Sequence, residues 1–150
     1  MDLIFALSTL LVLPFWLLMI GLPAWTVTRR LMESFWVLLP LAILYAILLA
    51  VTWRGLEQLI LDPRLPTLAV VLGRPEGALI GWVHFLAFDL FVGRWEYLDS
   101  QERGYPPMLV APALWATLLV GPLGLLIYLA IRAAVPAAAA APAATGAAET

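Results

Sequence analysis

Between Gly81 and Trp95 the chain reads GWVHFLAFDLFVGRW, an apolar stretch that carries the sole histidine, His84, with Asp89 in mid-span and Arg94 near its end. No other feature restricts the fold as much. At the centre of a bilayer helix an Asp or Arg costs about 2.5–3.5 kcal/mol, whereas Leu, Ile, Phe or Val each offset only about 0.3–0.6 kcal/mol. A chain that keeps such groups turns them towards a bundle interior and not towards lipid. The expectation is a helical membrane protein whose function lies on this helix.

The rest of the chain agrees with that solvent. Hydrophobic residues make up 64% of the 150 and charged residues 12%, about half the charge of a soluble domain. Leu3 to Leu22 is almost unbroken apolar sequence, about 30 Å long as a helix, which matches the hydrocarbon core. It has no basic residue before Arg29, so it reads as a retained first helix and not a secretory signal. A second span is expected over 35–53, a third over 77–95 and a fourth over 108–131, with a break or kink at Gly121-Pro122-Leu123-Gly124. Trp25 to Ser34 reads as a connection and 96–107 as a polar, solvated loop. The proline-rich stretch 54–76 holds an apolar patch, Leu68 to Leu72, too short to cross. The fold class is therefore all-α, a polytopic bundle of four transmembrane helices with an interfacial or re-entrant segment between the second and third. Residues 133–150 are an Ala/Pro-rich tail expected to be disordered. With four spans the arginines divide four against four, and the positive-inside rule gives no orientation.

Composition also excludes chemistry. The eight basic residues are all Arg, with no Lys and no Cys, which removes lysine Schiff bases, thiolate catalysis and cysteine-ligated metals. One His without Cys speaks against zinc, so no metal site and no cofactor is expected. A net charge of −2 gives no reason to expect nucleic acid.

Positions seven apart nearly superimpose on a helix. Trp82, Asp89 and Glu96 thus form one stripe, and His84, Phe88, Phe91 and Trp95 a second. His84 and Asp89 lie about 140° apart around the helix, so they cannot pair directly and must flank a cavity or find other partners. On the functional reading they are an acid/base pair beside an aromatic groove. On the structural one, Asp89 pairs with Arg94 or another Arg and His84 bonds a backbone carbonyl. A proton or ion pathway through the two is a third reading, thinly supported because no inverted repeat is present.

The run Gly77-Ala78-Leu79 with Gly81 to Trp95, followed by Tyr97-Leu98-Asp99 and by Gly121-Pro122-Leu123-Gly124-Leu125-Leu126-Ile127-Tyr128, resembles the abscisic-acid-deficient-4-like family of small four-helix membrane proteins, over about residues 3–132. The resemblance implies a link to carotenoids, since plant members are required to make neoxanthin from violaxanthin. That isomerisation opens a 5,6-epoxide and creates an allene, and it needs an acid and a base but no redox partner or cofactor. On this basis the catalytic candidates are His84, Asp89 and Arg94, with Arg94 tuning Asp89 or holding the hydroxylated ring end. Trp82, Phe85, Phe88 and Trp95 would line the polyene channel. The expected partners are the lipid bilayer and a carotenoid or other long apolar lipid, with a homo-oligomer or a partner enzyme also open. The alanine-rich, lysine-free composition points to a bacterial inner membrane. The competing reading is a non-catalytic carotenoid- or lipid-binding protein that supports a partner.

Overall fold

A computed structural model describes residues 1–137, and among these every regular element is helical. The order is α1 (Asp2–Gly21), α2 (Thr26–Glu33), a 3-10 turn (Phe35–Val37), α3 (Leu39–Leu61), α4 (Leu65–Leu72), α5 (Pro75–Glu102), α6 (Pro107–Val120) and α7 (Pro122–Ala134). Three segments are long and apolar enough to cross a membrane: Asp2–Gly21, Phe35–Arg54 and Pro75–Glu102. Of the expected tail, 133–134 close α7, and 138–150 lie outside the described residues.

The core forms around α5, which touches every other helix. α1 turns Ser8, Val12, Trp16 and Met19 inwards, spaced as one face of a helix, and leaves Leu3, Leu7, Leu10 and Leu17 bare. Such an outer surface suits lipid, not water. Pro14 lies inside α1 without ending it. The crossing with α5 is close because Gly93 has no side chain, and a Cβ there would run into the Trp16 ring.

The stretch 25–34, expected as a connection, is mostly the helix α2. It is a surface helix with Thr28 and Met32 buried and Arg29 outward, paired with Glu33 at 2.9 Å. The Thr28 hydroxyl donates to the Leu22 carbonyl at 2.9 Å and ties this helix to the end of α1. The short apolar patch between the second and third spans lies within α4, an eight-residue helix about 12 Å long. Its Val71 carbonyl fits where Gly77 leaves room on α5.

Two boundaries differ from expectation. α5 does not stop at Trp95 but continues to Glu102, so 96–102 is helix and not a solvated loop. Glu96, Tyr97 and Ser100 are buried there, and the helix ends before Gly104, whose φ of 66° suits glycine. The expected fourth span, 108–131, is not one helix. It breaks at Gly121, with φ 32° and ψ −87°, a conformation that L side chains rarely adopt. The two halves then fold back on one another. Thr117 of α6 packs directly on Gly124 of α7, and the Tyr105 hydroxyl before α6 donates to the Val135 carbonyl after α7. In a straight helix those ends would stand about 45 Å apart. The result is an antiparallel hairpin of two half-length helices, with Gly121-Pro122 at its tip.

Candidate functional site

The hairpin lies along the C-terminal half of α5, in a register fixed by four contacts. Nearest its open end, Tyr128 donates to Asp99 at 2.7 Å, and Arg132 reaches the same carboxylate oxygen at 3.1 Å. Arg103 reaches it from α5's own end at 2.8 Å. One level deeper, Trp95 meets the Tyr128 ring edge-on with centroids 5.4 Å apart. Beside Trp95, Glu96 is fully buried and its carboxylate oxygens lie 2.9 Å from the Thr117 hydroxyl. At the tip, Asp89 sits against Gly121, where a Cβ would collide with its Oδ1. Gly121 is thus required twice, by its own backbone and by the carboxyl beside it.

Asp89 differs from the other two carboxylates of this row. Like Asp99 it is partly exposed, but unlike Asp99 and Glu96 it forms, among the described residues, neither a hydrogen bond nor an ion pair. The pairing with Arg94 is not made. Arg94 points about 140° away around α5. Its Nη2 donates to the Glu33 carbonyl at 3.0 Å, its guanidinium lies 4.3 Å from the Phe35 ring centre, and its buried Nε has no partner. Arg94 fastens α2 and the 3-10 turn to α5.

Because α6 and α7 are short, they cover only half of the face they lie on. Beyond the tip that face is bare: His84, Phe85 and Phe88 are all exposed. His84 stacks on Phe88 at 4.6 Å between centroids and lies 5.7 Å from Tyr45 of α3. Around the helix, Phe88, Val92 and Phe85 fall between His84 and Asp89. His84 and Asp89 therefore flank one aromatic strip, and this strip is an open, outward-facing notch instead of an enclosed channel.

The four aromatics expected to line a channel do not share one. Phe85 and Phe88 belong to the notch. Trp82 lies on the α1 side, donating through Nε1 to Thr9 Oγ1 at 3.1 Å and packing on Phe5 with centroids 4.9 Å apart. Trp95 is covered by the hairpin. Three participants escape a sequence reading: Glu96, set aside as solvated, and Thr117 and Tyr128, on a segment read as one span with a break or kink and not as a hairpin. For Glu96 a signal existed, since it continues the stripe of Trp82 and Asp89.

Among the described residues no group of three or more His, Cys, Asp or Glu side chains could hold a metal ion. What the notch offers is acid/base chemistry next to an apolar surface: an unpaired carboxyl, an imidazole and aromatic rings between them.

Comparison with known proteins bears on which chemistry that is. The family model described as ABA DEFICIENT 4-like matches residues 3–128. The chain is 31% identical over 106 residues to the protein ABA DEFICIENT 4, chloroplastic, of Arabidopsis thaliana, an alignment covering 67% of this chain and 48% of that protein. The chain thus spans about half the length of the curated relative it matches. No solved structure matches it. The matched region holds all three long helices, the Asp89 notch and the hairpin as far as Tyr128, and on that extent the chain belongs to the ABA DEFICIENT 4-like family.

Proposed function

We propose that this is a membrane protein that handles a carotenoid or similar long polyene, and that it isomerises an epoxy-carotenoid in the manner of violaxanthin to neoxanthin. One observation carries the proposal. Asp89, halfway along the central helix, has no hydrogen-bond or ion-pair partner among the described residues, and an exposed aromatic strip separates it from His84. Keeping an unpaired carboxyl at such a depth costs a few kcal/mol, and ionisable groups kept there mark functional sites by default. A bilayer-dissolved substrate needs no channel, because it reaches an outward-facing notch sideways.

In the reaction, Asp89 gives a proton to the epoxide oxygen as the carbon–oxygen bond to the polyene end breaks, leaving a hydroxyl. His84 removes a proton from the neighbouring polyene carbon, and the C–H electron pair becomes the second of two cumulated double bonds. The molecule keeps its mass, and return of the proton from His84 to Asp89 resets the pair. Phe85 and Phe88 hold the polyene between them. Arg94, fastened on another side of α5, takes no part in this step.

In the membrane, α1, α3 and α5 span while the α6–α7 hairpin enters and leaves on one side. Each arm is about 20 Å long against about 30 Å of hydrocarbon. Arg54, Arg64 and Arg74 then face one side and Arg29, Arg30, Arg103 and Arg132 the other, so the hairpin opens towards the cytoplasm of a bacterial inner membrane.

The test is expression in a carotenoid-making bacterial host supplied with epoxy and non-epoxy carotenoids, followed by chromatography and mass spectrometry. A new peak of unchanged mass is expected, reduced at least about 100-fold by Asp89→Asn and by His84→Ala, as for loss of a general acid or base. Full activity in both variants, folded and inserted, would reject these roles. Binding of the pigment without conversion by the wild type would leave a carotenoid-binding protein that supports a partner enzyme.

A further inference from the structure

At the end of α5 remote from the hairpin mouth, the seam between α3 and α5 opens into a cavity of about 460 Å³. Its apolar wall is Val51, Leu56, Val71 and Ile80, and Arg54 and Arg74 line it too. Neither arginine makes an ion pair or a side-chain hydrogen bond among the described residues. By contrast, Arg29, Arg64, Arg103 and Arg132 each hold a carboxylate. Glu76 also lines the cavity but pairs with neither arginine, so the site keeps a net positive charge. Trp53, half-exposed at the wall, is the residue type that sits at the boundary of hydrocarbon and headgroup.

We propose that this cavity binds one anionic phospholipid, its phosphate between Arg54 and Arg74 and the start of an acyl chain on Val51, Leu56, Val71 and Ile80. The charge calls for an anion. The apolar wall calls for hydrocarbon attached to it, which a free phosphate lacks. A carotenoid end ring would suit the wall but gives two guanidinium groups nothing to neutralise. The site is independent of the notch at Asp89, and the proposal stands whether or not the protein is an isomerase.

The test is native mass spectrometry of the full chain in mild detergent, titrated with phosphatidylglycerol and phosphatidylcholine of the same acyl chains. One phosphatidylglycerol should be retained per chain in preference to phosphatidylcholine. Each arginine near a membrane surface contributes about fivefold to anionic-lipid affinity, so Arg54→Gln with Arg74→Gln should weaken retention about 25-fold. Glu76→Gln should tighten it, and Ile80→Trp, which fills the cavity with both arginines intact, should abolish it. Equal retention of the two lipids by the wild type would overturn the proposal without any variant. So would unchanged binding in a folded double variant, unchanged binding in Ile80→Trp, or displacement of the lipid by millimolar inorganic phosphate.

Discussion

Asp89 and Glu96 are two carboxylates on one stripe of one helix, two turns apart, with opposite surroundings. Glu96 is sealed under the hairpin and bonded to Thr117. Asp89 stands where the hairpin stops, partly exposed and without a partner. The hairpin makes this difference: the polar groups it covers are tied into the fold, and those beyond its tip are left available. A buried polar group that is bonded stabilises one arrangement, whereas an unbonded one is a cost that packing alone does not explain.

The comparison breaks completely if the hairpin is instead a continuous fourth span. With three spans the two ends of the described chain lie on opposite faces, and with four they share one. The protein has no native cysteine, so Asp2→Cys and Ala137→Cys can each be labelled with a membrane-impermeant maleimide in intact cells. Asp2→Cys should label and Ala137→Cys should not until the cells are opened. Identical behaviour at both positions would remove the hairpin and the notch together.

Short of that, the hairpin's closure can be loaded directly. A side chain at Gly124 would run into the backbone and hydroxyl of Thr117, which cannot yield without separating α6 from α7. Gly124→Val should destabilise by roughly 3 kcal/mol, the upper end of overpacking costs, in reversible unfolding in mixed micelles. A loss under about 1 kcal/mol would mean that the two helices do not touch there.

The two carboxylates should then separate in stability and activity. Glu96→Ala removes a fully buried side chain and its bond to Thr117, and should cost about 2 kcal/mol. Asp89→Ala removes a group with no partner, and should change stability by no more than about 0.5 kcal/mol while abolishing turnover. Glu96→Gln, which can keep the bond to Thr117, should resemble the wild type in both measurements. If Asp89→Ala unfolded the protein as readily as Glu96→Ala, Asp89 would be a structural group like its neighbour.

Much of this was legible in the sequence, and the failures have physical causes. Apolar length marked α1, α3 and α5 because spanning helices must satisfy their backbone internally over a fixed thickness. The stripe of Trp82, Asp89 and Glu96 follows from α5 being one unbroken helix, and the same helix keeps His84 and Asp89 from bonding directly. Hydropathy could not distinguish a kinked span from a hairpin. Both need about 24 apolar residues with a Gly-Pro break, and the choice is made by Gly121 adopting positive φ and by Gly124 admitting Thr117. Glu96 was misjudged because polarity was read as exposure, although a helix continuing two more turns would have carried it under the same cover as Trp95. Trp82 and Trp95 were assigned to a ligand when each was needed for packing, which only the positions of α1 and α7 reveal.

The smallest expected effect lies at the hairpin's open end. Asp99 accepts there from Tyr128, Arg103 and Arg132 on one oxygen, so losing one donor leaves the carboxylate with two cationic partners. Tyr128→Phe keeps the ring that meets Trp95 edge-on and removes only the hydroxyl. The cost should be about 1 kcal/mol, within the ordinary worth of one hydrogen bond. Arg132 is more exposed than its partner and should matter still less, as solvent-facing ion pairs do. Neither change should alter turnover, because the tip at Gly121 is held separately by Thr117 and Gly124. If Tyr128→Phe left stability near the wild type and yet slowed isomerisation severalfold, the hairpin would be transmitting strain from its mouth to Asp89. In that case the covered and uncovered halves of α5 would act as a single unit.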